Sequence, residues 1–444
     1  MTDELFANGK VSKTFIKLAV PSILVLLLMI STFLIDGILI GQFVGLQGLA
    51  AFNLVYPMFS VLIAIAIVIA TGGSAIVGKY LGQNKIGKAN QVFNLALVLA
   101  VIFSTVLSVT TLFFADDITR FLGATDLLFE PTKEYFSTLA VFFILFIIGL
   151  VFQHFIRNEG NFIYPIITTV VSVVINIPLT YLFLGVWDWS LGAAALGTGI
   201  SMIPSTILLI VYFFRKQSIM SYGRPIFDFS VIKKILYNGS SDGLSEISAG
   251  IVVLTFNLIL IQHLGEIGIA AFAIISLTSL IMIMICAGLA MTLQPMVSYN
   301  FGAGKISRVK DTLKISIKMG IIIGVVFYLF VFMFGEYFIE LFSGDDEQLT
   351  SLAFDAIRVY GFSYIFLGIN YLSSGYLTAL QKPKTSLMIS MSYNLIFVIV
   401  GLMAFSHFFS TPGIWWAVPF ANIVTVFISL YFVKRTNKVM FEDT

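Results

Sequence analysis

The chain has 444 residues, of which 59% are hydrophobic and only 11% charged, and its net charge is +2. Soluble domains carry about 25% charged residues, so this composition excludes an ordinary soluble protein and indicates a multi-pass membrane protein. The near balance of charge gives no basis for a nucleic-acid partner, and a single cysteine excludes a disulfide framework.

Twelve apolar stretches are long enough to cross a membrane as helices. About 20 residues at 1.5 Å each cover the roughly 30 Å hydrocarbon core of a bilayer. The predicted fold is therefore all-α, a polytopic membrane protein with twelve transmembrane helices. The predicted spans are 15–39, 50–78, 91–114, 134–156, 162–185, 191–214, 235–263, 267–296, 312–335, 352–378, 385–408 and 412–433.

The two halves of the chain resemble each other. Residues 48–52 (GLAAF) return 220 residues later as 268–272 (GIAAF). Six spans per half is an even number, so the halves insert in the same orientation, as in transporters built from parallel repeats. We expect one lobe at 1–218 and a second at 219–444.

Basic residues predict the orientation in the membrane. Of the 25 Lys and Arg residues, 22 fall in loops on one side, while the other side has an acidic stretch at 345–347. Basic loops stay in the cytoplasm, so we expect a cytoplasmic-membrane protein with both termini in the cytoplasm.

Asp36 lies about 20 residues into the first predicted helix. A charged Asp at mid-bilayer costs roughly 2.5–3.5 kcal/mol, so an acid without a basic partner is a functional-site hypothesis. The alternative is an Asp at the interface that faces water, but the uncharged run that follows and the short side chain favour the functional interpretation. The repeat places Asn257 at the corresponding position of the second half.

Asp242 and Glu246 are four residues apart in the seventh predicted helix, so they share one helix face. Two carboxyl groups this close in a medium of low dielectric do not ionise together readily. One of them can therefore take up a proton on one side of the membrane and release it on the other. For Asp242, a simple role near the helix N-terminus is an equally good explanation.

Two further helices carry polar residues. In the fifth, Pro178 leaves the carbonyl of Val174 without its helical partner, and Asn176 lies beside it, which suits either a bound cation or a kink satisfied by Thr180. In the tenth, Asn370 and Tyr371 are candidates to line a cavity.

Catalytic motifs are missing from the sequence. Residues 82–89 imitate a phosphate-binding loop, but Ala89 replaces the Ser or Thr that binds magnesium. The three histidines are scattered singly, without metal-ligand spacing. We therefore expect no enzyme, no metal site and no cofactor.

Taken in order, several short motifs resemble those of the multidrug and toxic compound extrusion (MATE) family, over nearly the whole chain. They are residues 18–21 (LAVP), Asp36, residues 80–83 (YLGQ), residues 192–197 (GAAALG) and residues 379–385 (ALQKPKT). The resemblance implies two six-helix lobes around a central cavity, and export of organic cations in exchange for sodium ions or protons.

The resemblance also implies roles for individual residues. Asp36 matches the family's N-lobe acid and Asn176 its helix-five Asn, and Glu246 resembles an acid used by some branches. Two positions depart from the pattern, since Thr180 and Asn370 stand where certain branches have an acid.

The leading hypothesis is therefore a monomeric exporter, surrounded by membrane lipid, that exchanges small organic cations for H+ or Na+. The predicted cation-coupling residues are Asp36, Asn176, Asp242 and Glu246. The predicted substrate-binding residues are Asp36, Glu246, Asn257, Asn370 and Tyr371. The alternatives are a flippase for a lipid-linked oligosaccharide, which needs basic residues in the cavity, and a membrane-embedded enzyme.

Overall fold

A computed structural model of the chain describes residues 6, 8–225, 227–343 and 346–441. Asp345, part of the predicted acidic stretch, lies outside the described residues. All regular elements in the described part are helical, which confirms the predicted all-α class. The helices are α1 Val11–Phe43, α2 Leu46–Gly82, α3 Ile86–Phe113, α4 Ala115–Phe121, α5 Asp126–Val141, α6 Phe143–Asn158, α7 Ile163–Tyr181, α8 Gly192–Tyr212, α9 Phe229–His263, α10 Glu266–Gly302, α11 Ile306–Ser343, α12 Glu347–Tyr360, α13 Tyr364–Ala379, α14 Pro383–Met391 and α15 Phe397–Phe441.

The predicted count of twelve membrane spans is not confirmed by the helices of the structure. The described residues contain 10, or 11 if α5 and α6, which meet at a bend of 50°, count as one span. One of the ten runs from Pro383 to Phe441 and holds 59 residues, far more than the roughly 20 that one crossing needs. Ser410, with φ 53° and ψ −139°, interrupts its helical backbone between the predicted eleventh and twelfth spans. Twelve crossings therefore remain a prediction.

Contacts divide the chain into two compact units. Unit 1 contains Leu24–Gly239, and unit 2 contains Phe6–Ile23 together with the residues from Ser240 onward. The chain thus changes unit inside α1 and inside α9. The predicted lobe boundary after residue 218 stays a prediction about domain organisation.

Within unit 1, the first turns of α9 cross α2 at very short distance. A Cβ on Gly72 would collide with the carbonyl oxygen of Ile235, and a Cβ on Gly239 with that of Val68. Only glycine allows two helix backbones to come this close. These two glycines therefore fix where α9 begins on unit 1.

Within unit 2, the core is apolar and aromatic. The ring of Phe256 in α9 stacks on that of Phe272 in α10, with centroids 4.3 Å apart and planes 12° from parallel. Both side chains are almost fully buried, in a cluster that also contains Trp415 of α15. This packing holds the C-terminal part of α9 inside unit 2.

Candidate functional site

Asp36 of α1 is buried in unit 1, with only 6% of its surface exposed. Its Oδ1 accepts a hydrogen bond from Thr180 Oγ1 at 3.2 Å, and its Oδ2 accepts one from Thr198 Oγ1 at 3.1 Å. Asn176 Nδ2 lies 3.5 Å from the same Oδ2. In the part of the chain that the structure describes, no Lys, Arg or His forms an ion pair with Asp36. The carboxyl group is thus surrounded by neutral donors alone.

Two helices supply these donors. Asn176 and Thr180 are one turn apart on α7, so they face the same direction. Thr198 comes from α8, which approaches α7 closely because Gly197 has no side chain. A Cβ on Gly197 would lie 3.0 Å from Thr180 Oγ1. The glycine therefore sets the spacing of the two hydroxyl groups around Asp36.

The amide of Asn176 is only half satisfied. Its Nδ2 also lies 3.2 Å from Thr198 Oγ1 and 3.4 Å from Thr180 Oγ1. Its Oδ1 is buried and has no hydrogen-bond partner among the described residues. A buried acceptor without a partner costs about 1–3 kcal/mol, so it calls for an explanation.

The oxygen atoms of this site suit a small monovalent cation. Rotation of the Asn176 amide by half a turn would aim Oδ1 at the Asp36 carboxylate. Two facing acceptors need a proton or a cation between them. A single carboxylate balances one positive charge, and the two threonine hydroxyls can turn their lone pairs inward to complete the shell.

The second pair of acids lies on α9 in unit 2. Gln294 Nε2 of α10 lies 3.5 Å from Asp242 Oδ2. Glu246 has no hydrogen bond and no ion pair with any residue that the structure describes. Tyr371 of α13 and Tyr393 lie close enough to both carboxyl groups to interact with them electrostatically. Tyr371 and Glu246 thus lie near each other in unit 2, and their role in substrate binding stays a prediction.

Tyr393 and Gln294 are not among the site residues predicted from the sequence. For Tyr393, the internal repeat offers a sequence signal that could have identified it. Pro165 near the start of α7 aligns with Pro383 at the start of α14, at an offset of 218 residues. The same offset aligns Asn176 with Asn394, the residue after Tyr393 in the chain. Both helices continue into a short π-helix, 182–186 after α7 and 392–396 after α14. Such segments are frequent at functional sites. Thr198, in contrast, carries no recognisable sequence signal.

Two predicted substrate residues lie in different surroundings. Asn370 is fully buried, and its amide bonds to the Asn422 carbonyl at 2.9 Å and accepts from Ser429 Oγ at 2.9 Å. Its polar atoms are thus used in joining α13 to α15, which favours a packing role.

Asn257 is half-buried and follows Phe256. The turn glycines Gly45 and Gly265, both with positive φ, are 220 residues apart, so this offset places Phe256 rather than Asn257 opposite Asp36. In unit 2 an aromatic ring therefore occupies the position of the carboxyl group of unit 1.

Comparison with known proteins decides the family. A family model described as MatE matches residues 21–182 and 250–403, more than half of the chain. The chain belongs to the MATE family of transporters. The multidrug export protein MepA of Staphylococcus saprophyticus is 28% identical to this MATE chain over 443 residues, which cover 96% of the chain and 94% of MepA. MepA of Staphylococcus aureus is 25% identical over 448 residues, 99% of the chain and 97% of that protein.

Solved structures agree on the fold of this MATE chain. A crystal structure of a MATE transporter in complex with MaL6 superposes with a TM-score of 0.94 and covers 100% of the chain and 99% of that protein, at 21% identity. An outward-facing multidrug resistance MATE transporter gives 0.93 over 99% of the chain and 98% of that protein, also at 21% identity. The family model thus confirms the resemblance derived from the sequence motifs, and these structures confirm the all-helical fold.

Proposed function

We propose that this MATE protein is a multidrug efflux antiporter of the cytoplasmic membrane that exports organic cations in exchange for protons or sodium ions. Both termini would face the cytoplasm, following the basic loops, and one chain would suffice for transport. The observation that carries the proposal is the buried Asp36 carboxyl group, which has only neutral neighbours and is therefore open to a mobile positive charge.

The N-terminal site is proposed as the coupling site. Asp36 takes up a proton or a sodium ion, with Asn176, Thr180 and Thr198 as the surrounding oxygen donors. The half-satisfied amide of Asn176 supports this role, because rotation of the amide by half a turn lets an entering cation bind the oxygen that now has no partner. When the coupling cation leaves, the threonine hydroxyls return to the carboxylate as hydrogen-bond donors.

The acids of α9 are proposed as the substrate side of the exchange. Glu246 has no partner of its own, so its charge is available to an organic cation. Asp242 supplies a second carboxyl group one turn away and takes part in coupling. The rings of Tyr371 and Tyr393 can contact a flat lipophilic cation through their faces, as aromatic rings do with cations elsewhere.

Charge balance determines what drives the exchange. When one coupling ion enters for each singly charged organic cation that leaves, no net charge crosses the membrane, so the concentration gradient of the coupling ion drives export. Each additional coupling ion per cycle would add about 2.3 kcal/mol per 100 mV of membrane potential.

Nothing in the described residues favours the flippase alternative. Binding of a pyrophosphate group needs Arg or Lys in the cavity, whereas the two sites described above are built from carboxyl, amide and hydroxyl groups.

The test is efflux of a fluorescent lipophilic cation from proteoliposomes, with sodium and pH gradients imposed separately. Wild-type protein should export the dye under one of the two gradients. Asp36→Asn and Glu246→Gln should each fold normally and lose gradient-driven export. Undiminished export by both variants would end this mechanism.

A further inference from the structure

A groove of about 430 Å³ lies on the surface of unit 2, between α14 and the C-terminal part of α15. One wall comes from α14 and the π-helix that follows it, and the other comes from α15. The six lining residues are Met388, Ser392, Phe427, Ile428, Tyr431 and Phe432. Five of these six side chains are apolar or aromatic, so the groove suits a hydrocarbon chain better than a polar solute.

The groove opens away from the protein core. Met388 is 47% exposed, Phe427 is 69% exposed and Tyr431 is 58% exposed. All three belong to the helical stretch 383–441, which is apolar enough to cross a membrane. Apolar side chains that remain exposed on such a stretch face the acyl chains of the bilayer. The groove is therefore open to lipid along its length.

α14 and the C-terminal part of α15 run in opposite directions. A Cβ on Gly401 would lie 3.1 Å from the Cα of Ala417, and a Cβ on Gly413 would collide with the carbonyl oxygen of Phe405. The earlier residue of one arm thus meets the later residue of the other. The two arms of α15 on either side of its interruption are antiparallel, and α14 leads through the π-helix into the first of them.

Basic residues occupy one end of the groove. Lys384 lies one turn before Met388 on α14, and Arg435 lies one turn after Tyr431 on α15. Because the helices are antiparallel, both basic residues lie beyond the same end of the apolar lining. Arg435 Nη1 is 3.5 Å from the Tyr431 hydroxyl, which adds a polar group at this end. We call this end the basic mouth.

The charge of the basic mouth is not balanced by the protein. The 59 residues 383–441 contain no Asp or Glu, and neither Lys384 nor Arg435 forms an ion pair with a residue that the structure describes. No side chain caps the N-terminus of α14, where Pro383 occupies the first turn. The positive end of the helix dipole therefore adds to the two side-chain charges. Together these groups attract an anion.

We propose that the groove binds one anionic phospholipid, with the phosphate in the basic mouth and an acyl chain along Met388 and Phe427. The apolar lining and the unbalanced positive charge together select this ligand. A lipophilic cation would fit the lining but would be repelled by Lys384 and Arg435. A free phosphate would leave the apolar lining unused.

The groove also borders the segment that carries Tyr393. Ser392 lines the groove, whereas the buried Tyr393 lies close enough to Asp242 and Glu246 to interact with them electrostatically. A lipid in the groove thus contacts one side of the π-helix 392–396, and the acids lie near its other side. Lipid binding should therefore slow hydrogen exchange of the amides of residues 392–396.

The site can be tested by native mass spectrometry of the delipidated full-length protein. Phosphatidylglycerol, which is anionic, should bind at least tenfold more tightly than phosphatidylcholine of the same acyl chains. Glycerol 3-phosphate, which has the phosphate without the chains, should not compete. Binding is measured without transport, so this inference holds or fails independently of the proposed exchange.

Lys384→Ala combined with Arg435→Ala tests the basic mouth. One Lys or Arg near an anionic lipid contributes about fivefold in affinity, so the double variant should bind phosphatidylglycerol at least tenfold more weakly. Lys314→Ala combined with Lys318→Ala is the matched control, since it removes two exposed lysines of α11 and should change the affinity less than twofold. All variants should unfold at the wild-type temperature without lipid.

Met388→Trp tests the apolar lining, because the larger side chain fills part of the groove. It should weaken phosphatidylglycerol binding at least tenfold and leave the basic mouth intact.

Three results would overturn the inference. Equal binding of the two lipids would exclude recognition of the anionic headgroup. An equal loss of affinity in the α11 control would show general attraction to a basic surface. Unchanged binding by Met388→Trp would show that no acyl chain enters the groove.

Discussion

Thr198→Val is the most informative single substitution at the N-terminal site. It removes one hydroxyl, 3.1 Å from Asp36 Oδ2, and keeps the branched shape of the side chain. A hydrogen bond to a charged group contributes about 1.5–3 kcal/mol, and the rather long distance favours the lower end of that range. About 1.4 kcal/mol corresponds to a factor of ten in affinity, so the affinity of the site for its coupling ion should change about tenfold.

The direction of that change depends on the coupling ion. If sodium is bound, the lost oxygen is a lost ligand, and the half-saturating sodium concentration should rise about tenfold. If a proton is bound, the lost donor no longer stabilises the ionised carboxylate of Asp36, and half-saturation should occur at about tenfold lower proton concentration. Dye efflux from proteoliposomes, titrated with sodium at fixed pH and with protons at fixed sodium, measures both.

Thr169→Val is the matched control for this experiment. Thr169 is a buried threonine on α7 whose hydroxyl has no hydrogen-bond partner among the described residues. Its replacement should leave both titrations unchanged. If Thr198→Val also left both unchanged, the assignment of this oxygen shell to ion coupling would be refuted.

Three further predictions follow from the packing and the titrating groups. Gly197→Ala should weaken gradient-driven dye efflux without unfolding the protein, because the new methyl group lies 3.0 Å from the Thr180 hydroxyl that bonds Asp36. Gly239→Ala should destabilise the protein by about 1–3 kcal/mol through overpacking against α2, whereas Gly250→Ala on the same helix, with nothing within 4 Å of its Cβ, should stabilise it by about 0.5–1 kcal/mol in thermal unfolding. Burial raises the pKa of Glu159, which lies directly after α6, above the ordinary 4.5, so the folded protein binds a proton there more tightly than the unfolded chain does; the free energy of unfolding should fall as pH rises above 4.5, and Glu159→Gln should abolish this part of the pH dependence.

Much of the fold could be predicted because lipid imposes strong rules on sequence. Long apolar stretches and the repeat of 220 residues indicated an all-helical, two-part chain. The number of spans was harder, because apolar helices in lipid show no boundary signal. Ser410 is an exception, since the predicted spans end at 408 and begin again at 412, where Pro412 and Gly413 follow, and the helical backbone of α15 is interrupted between them.

Candidate site residues could be recognised in the sequence only where the residue type costs free energy in a membrane helix. Asp36 and Glu246 stood out because an acid in a membrane helix requires an explanation. Thr198 did not, because a threonine in a membrane helix usually bonds to its own backbone, as this one also does to the Ala194 carbonyl. Asn370 was selected because an amide in a membrane helix is exceptional; its amide bonds Asn422 and Ser429, and its role in substrate binding stays a prediction.

The internal repeat supports different roles for the Asp36 site and for the site of Asp242 and Glu246. With an offset of 220 residues, Asp36 corresponds to Phe256, Glu246 to Leu26 and Asp242 to Ser22, so neither half carries an acid where the other has one. In the common frame of the repeat Asp36 and Glu246 are ten residues apart, about 15 Å along a helix. A symmetric pair of equivalent sites would have placed like residues at like heights. One carboxyl group enclosed by small neutral donors fits a small coupling ion, whereas two carboxyl groups beside tyrosine rings fit a larger cation, which is the asymmetry that an exchanger of unlike cations requires.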